Sequence, residues 1–253
     1  MEWTADVAAG GWIRQRLDDP WQGTIHDVVP HGFGAYARVR HPRVSERSPE
    51  REEGRIDPGV LAVVASHLAA HTGTPAIHVG VWDGWGGLVG AFGVPPSPAV
   101  ARSSAAGEDP ADPAVLARHR EMLARSIHDP FNNVFRRNVW LPGILSDEIS
   151  RGPRLTLPYR EHVLFRGTID ELRDASWAER VPWREPEAPQ FTASPSLVWP
   201  DDRAWVVVTD VDADATVVAG APALVRALCT DQRIEADPIA EGTSLPRPES
   251  WGT

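Results

Sequence analysis

The sequence predicts an α+β fold, mainly an antiparallel sheet built from hairpins and flanked by three or four helices. Three observations carry that prediction. Short apolar, β-branched runs recur between glycine, proline and aspartate turns; Asp-Pro pairs precede amphipathic stretches; and regular strand–helix alternation is missing. The 253 residues suffice for one large core, and residues 1–253 read as one domain without an internal repeat or clean boundary.

The first strand is expected between Gly32 and Pro42, where the alternation through Ala35, Tyr36, Ala37, Arg38, Val39 and Arg40 gives one arginine-bearing face. The stretch that follows, about 43–56, is dominated by charge and contains Pro49, so it reads as a flexible, solvated loop. Asp57-Pro58 then starts a helix over Gly59–His71: Asp57 is the N-cap, Pro58 the first helical residue, and Leu61, Val64, Ala65 and Leu68 share a face. Ala76–Trp82, the turn dipeptide Asp83-Gly84 and the apolar run Gly87–Val94 together predict a hairpin.

Prolines 95, 96, 98 and 110 make about 95–111 a flexible connection, and Asp112-Pro113 starts a second helix over Ala114–Ile127. Strands are expected at Arg154–Leu157 and Glu161–Arg166, then a short helix at Ile169–Ala175 and an irregular loop from Trp177 to Pro195. Ala204–Asp210 and Ala215–Ala219 should pair around an acidic turn. Pro222–Cys229 forms the last helix, a strand lies near Arg233–Ala236, and the tail from Gly242 is expected to be mobile.

All 25 basic residues are arginine. The lack of lysine removes Schiff-base chemistry, pyridoxal phosphate attachment, a Walker-type phosphate lysine and a lysine general base. A net charge of −10 disfavours nucleic acid and anionic membrane surfaces as partners. The first residues, with Glu2 and Asp6, do not form a secretory signal, and no apolar run approaches spanning length. The single cysteine, Cys229, continues the apolar face of the last helix and cannot form an internal disulfide. A cytoplasmic location follows as the expectation.

Several constellations carry potential chemistry. In Trp82-Asp83-Gly84-Trp85-Gly86-Gly87, two indoles bracket a carboxylate; they would either rim a ligand site or pack on the sheet beside a tight turn. His67 and His71 share a helix face at zinc-pair spacing, with His78 as a third ligand, but Leu68 stands where a zinc protease carries its glutamate. The preferred reading places both imidazoles at the negative helix end. Asp210, Asp212 and Asp214 resemble the start of a calcium loop, which then fails because Ala215 replaces the glycine and Ala221 the glutamate; Asp201 and Asp202 would have to join them to hold a cation. Tyr159, Arg160 and His162 form a possible acid/base group or an ordinary polar loop. No nucleophile elbow and no dinucleotide or phosphate-loop motif is found in its required setting.

Three strings, Val29–Pro42, Trp82–Gly86 and Trp199–Trp205, together with Val217–Ala221, resemble a family of uncharacterised, soluble, tryptophan-rich proteins of high-GC bacteria. The resemblance covers most of the chain outside the two loops and implies a shared fold, with no activity or catalytic residues to carry over. The resulting expectation is a cytoplasmic binding or interaction protein with a protein or small-molecule ligand, no cofactor and no metal. Its candidate ligand residues are Trp82, Asp83, Trp85, Tyr36, Arg38, His162 and Asp210. The alternative is a hydrolase or transferase assembled from Tyr36, Arg38, Asp83, His162 and Asp210.

Overall fold

The computed structural model describes residues 1–45, 48, 50–93, 139–186 and 192–244. The strands are β1 (Glu2–Trp3), β2 (Ala35–Arg40), β3 (Ala76–Trp82), β4 (Ala91–Gly93), β5 (Val139–Leu141), β6 (Leu155–Thr156), β7 (Glu161–Thr168), β8 (Leu197–Pro200), β9 (Val206–Val208), β10 (Ala215–Gly220) and β11 (Ala236–Ile239). Helices are α1 (Gly11–Arg14), α2 (Pro58–Ala69), α3 (Asp147–Ser150), α4 (Trp177–Arg180) and α5 (Pro222–Thr230). Nine strands form one antiparallel sheet in the order β1-β7-β3-β8-β9-β10-β2-β11, with β6 also on β7; β4 and β5 pair separately. This is the α+β architecture the sequence predicts.

Period-two alternation gives the sheet two buried faces. On the first, Ala37, Val39, Val79, Phe165, Val207 and Val218 lie in the core that α2 and α5 complete through Leu61, Leu68, Leu224 and Leu228. On the second, Tyr36, Leu164, Leu197, Trp199, Val206 and Val208 meet Trp12, Ile13, Ile25 and Val29 of the N-terminal segment. Loss of either layer would expose an apolar sheet face.

Helix α2 begins where local chemistry places it, with the Asp57 side chain accepting a hydrogen bond from the Val60 amide at 3.0 Å and Pro58 in the first turn. Asp57→Ala is expected to lower stability by about 1 kcal/mol. Urea denaturation checks this, and an unchanged midpoint would remove the cap from the account.

Several expectations need correction. Gly87–Val94 does not fold back on Ala76–Trp82, because β3 pairs with β7 on one side and β8 on the other, leaving no edge free. Its end instead forms β4, paired with β5, while Leu88 is buried. Ile169–Ala175 shortens to a single 3-10 turn at Ile169–Leu172. The last strand begins at Ala236, since Asp231 turns the chain by accepting the Arg233 amide at 2.9 Å. Trp177–Pro195 is not simply an irregular loop: α4 carries Trp177 into the core, and buried Trp183 donates its indole N–H to the Ala193 carbonyl at 3.0 Å. The charged stretch after Pro42 is held at its end by Gly54, whose amide donates to Ala213 at 2.9 Å. Gly54 has φ 65°, and a Cβ there would lie 2.7 Å from the Val211 carbonyl oxygen, so glycine fits both backbone and space. The expected connection 95–111 and helix Ala114–Ile127 lie outside the described residues.

Candidate functional site

The N-terminal segment covers only one end of the second sheet face. At the other end, β2, β10 and β9 present Arg38 and Arg40, Ala215 and Val217, and Val208, all on the same side by strand alternation. Ile25, Val28, Val29 and Ile239 wall this floor, and Asp210, Asp214, Thr243 and Ser244 supply polar groups around a cavity of about 300 Å³. That volume suits a small organic molecule. A neighbouring recess of about 20 Å³ continues under Trp82, Tyr159, Arg160 and His162, and both spaces share Val28, Val208 and Asp210. The recess has room for one water-sized group.

Charge is distributed unevenly. Arg160 reaches Asp210 at 3.5 Å, contacts Asp212 more closely and lies 5.4 Å from the Trp82 ring centroid. Arg40 pairs with Asp237 at 3.5 Å. Arg38, whose cross-strand neighbour on β11 is that same Asp237, is half-buried and has no ion-pair or hydrogen-bond partner among the described residues, and its Nε is buried. A cation held this way lacks the compensation that burial ordinarily requires.

The acids and bases of the recess are shifted by burial. Asp210 is pushed up by desolvation, against the pull of Arg160. His162, 3% exposed, is pushed down to about 3, chiefly by desolvation; a backbone hydrogen bond to Leu155 opposes this and the Arg160 charge adds to it. Its imidazole is neutral near pH 7.

Of the residues singled out from sequence, Arg38, Asp210, Asp214, Tyr159, Arg160, His162 and Trp82 line these two adjoining spaces. Tyr36 does not: it is buried farther along β2, edge-on to His26 at 5.4 Å, and burial raises its pKa. Asp83 also points elsewhere. It pairs with Arg154 at 3.3 Å, and burial raises its pKa against that charge. Trp85 is half-buried against the first-face core, with Arg55 6.0 Å from its ring centroid, and touches Trp82 edge-on at 5.9 Å. The two indoles thus belong to different environments and form no open platform.

The histidine set does not assemble. His67 bonds Asp231 at 2.8 Å, and His71 bonds the His67 carbonyl at 2.8 Å, both near the end of α2 on the first sheet face. His78 stacks on Trp199 on the opposite face and bonds Asp201 at 2.7 Å. The two acidic groups also stay apart, because Asp201 and Asp202 precede β9 whereas Asp210, Asp212 and Asp214 follow it. Cys229 is half-buried beside the core, and its thiol is pushed up by burial.

Sequence reasoning passed over Arg40 and the wall formed by Ile25, Val28 and Val29, and read Asp214 only as part of an acidic string. Arg40 was visible through its alternation with Arg38; the others carry no local signal. Comparison with protein-family models, curated proteins and solved structures gives no match. No helix among the described residues is long and apolar enough to cross a membrane.

Proposed function

We propose that this protein binds a small organic anion, bearing a carboxylate or phosphate, in the cavity floored by Arg38 and Arg40. The carrying observation is the Arg38 guanidinium, which has no partner among the described residues. Arginine offers a rigid fork of donors matched to such groups, and the cavity's apolar walls suit the rest of an amphipathic ligand. Asp214 and Asp210, at the same cavity, favour a ligand that also carries a hydroxyl or ammonium group.

A second reading is a hydrolase or transferase, favoured by one observation: Asp210 is a largely buried carboxyl with a raised pKa that borders both spaces. Binding is preferred because neutral His162 supplies no proton at pH 7 and the Thr209 hydroxyl, the one next to Asp210 in the chain, is engaged with the Thr216 hydroxyl at 2.8 Å.

Arg38→Met tests the binding reading, since methionine retains much of the aliphatic stem and removes the charge. Native mass spectrometry of protein purified from its own cells is expected to show a bound small acid that the variant lacks. Titrations with succinate and inorganic phosphate are expected to show binding weakened by about 10- to 100-fold, the value of one or two charge-assisted hydrogen bonds. The ligand-free variant should melt at the same temperature or higher, because an uncompensated charge has been removed. Equal anion binding by both proteins would overturn the assignment.

A further inference from the structure

Beside the N-terminal cover, His26 and His31 stack ring on ring, with centroids 3.6 Å apart and planes 20° from parallel. Each ring already has one nitrogen engaged. His26 Nδ1 lies 3.0 Å from the Val29 carbonyl oxygen, which can only accept, so that nitrogen carries the proton and donates. His31 Nε2 lies 3.0 Å from an Asp18 carboxylate oxygen and donates in the same way. These partners fix both tautomers and leave lone pairs on His26 Nε2 and His31 Nδ1.

Both lone-pair nitrogens lie close to one carboxylate. Glu241 Oε1 stands 3.8 Å from His26 Nε2 and 3.7 Å from His31 Nδ1. His26 is 2% exposed, and its Nε2 is buried without a hydrogen-bond partner. Two lone pairs close to an anion repel it, and a cation held among the three groups relieves that repulsion. One proton would satisfy only one of the two rings, whereas a divalent ion satisfies all three groups.

We propose that His26 Nε2, His31 Nδ1 and Glu241 form a site for one divalent transition-metal ion, with Zn²⁺ the best chemical fit. Two neutral imidazoles and a carboxylate are a borderline donor set that zinc accepts, and three protein ligands leave a position for water or another ligand. The outer partners match what such a site requires. An imidazole that binds metal through one nitrogen ordinarily donates from the other to a carboxylate or a backbone carbonyl, as Asp18 and Val29 provide here. The three donor atoms lie within 4.8 Å of one another. Tetrahedral zinc with bonds of about 2.0–2.1 Å would draw them to about 3.3 Å. The bound form also requires the near-parallel imidazoles to tilt out of their stack so that the ion lies in both ring planes; His31, 42% exposed, and Glu241, 62% exposed, are the side chains placed to move.

The backbone holds the ligands in place. The Asp18 amide donates to His26 at 2.9 Å, and the His31 amide donates to Arg16 at 2.8 Å, so two passes of the chain are clamped together. The Asp27 carboxylate gathers the amides of Gln22, Gly23 and Thr24. Glu241 arrives on a turn closed by the Thr243 amide on Ala240 at 3.2 Å, with Gly242 at φ 75° supplying the left-handed residue. The Ile25 amide donates to Thr243 at 2.9 Å and ties this turn to His26. The site shares these segments with the Arg38 cavity but none of its charged residues, so it stands apart from the anion reading.

The test uses chelator-treated full-length protein titrated with Co²⁺ and Zn²⁺. One equivalent is expected to bind, with cobalt d–d absorption and no thiolate charge-transfer band. His31→Ala and Glu241→Gln, both at partly exposed positions, should each weaken binding at least tenfold while leaving the metal-free melting temperature unchanged. Asp18→Asn, a positioning change, should weaken it about 10- to 100-fold. No saturable binding below about 10 μM metal would overturn the proposal. So would affinity that survives both ligand variants, or that falls instead in His67→Ala.

Discussion

Trp205→Ala is expected to lower the unfolding free energy by about 3–5 kcal/mol, the range for truncating a large aromatic side chain in a well-packed core. Trp205 is 0% exposed and sits where β9 enters the first-face core. Its indole N–H donates to the Leu68 carbonyl at 3.1 Å, joining the sheet to the last turn of α2. Truncation removes both the packing and this donor. Trp205→Phe separates the two effects: it restores most of the ring volume without the N–H, and should cost about 1–2 kcal/mol. Urea denaturation of the two variants measures the difference. An alanine variant losing under about 1 kcal/mol would mean the helix layer does not depend on this contact.

The same residue explains an oddity of composition. Eleven tryptophans against two tyrosines is an unusual balance that points to the size or the N–H of indole as the favoured property. Trp177, Trp183, Trp199 and Trp205 are among the largest fully buried side chains, and Trp183 and Trp205 use their N–H groups to bond backbone carbonyls. Indole here fills a wide layer between sheet and cover while retaining one donor for the backbone. Counting tryptophans could not show this, because exposure is set by partners distant in sequence.

Local chemistry was legible at several elements. The Asp57 cap and Pro58 locate the start of α2, and the apolar runs around Asp210–Asp214 do pair, with Val208 opposite Val217. What failed were long-range choices. Asp83-Gly84 is a good hairpin signal, but β3 finds its partners only after residues 94–138 have intervened, and burial on both sides outweighs the turn. Arg38 meets the Asp210 side of the sheet because β10 lies between β2 and β9, which no string near residue 38 encodes. His26 and His31 could have been noticed as a nearby pair. Glu241 could not, since it joins them through the bridge between Thr24 and Ser244.

Acidification below pH 6.5 is expected to destabilise the fold by up to about 1.4 kcal/mol per pH unit through His162 alone, reaching about 3 kcal/mol near pH 4. The sign follows from its pKa, which burial lowers from 6.5 to about 3 in the fold. Within that window the unfolded chain binds the proton and the folded chain does not, so stability present above pH 6.5 is lost as pH falls. His41, 0% exposed between the Glu52 carbonyl and Thr216, is lowered chiefly by the same desolvation and acts in the same direction. Asp83 and Asp210, whose pKa values burial raises, act in the opposite sense by taking up protons earlier in the fold. His162→Gln isolates the histidine: its stability profile should lie flatter than that of the parent between pH 6.5 and pH 4, as read from urea midpoints. Parallel profiles would show that His162 titrates normally and would favour the catalytic reading. An imidazole with a pKa near 7 in the recess with Asp210 could both take and return a proton, whereas one with a pKa near 3 is too weak a base and carries no proton to give at pH 7. The acid profile of this one variant therefore bears directly on the choice between a binding pocket and a catalytic one.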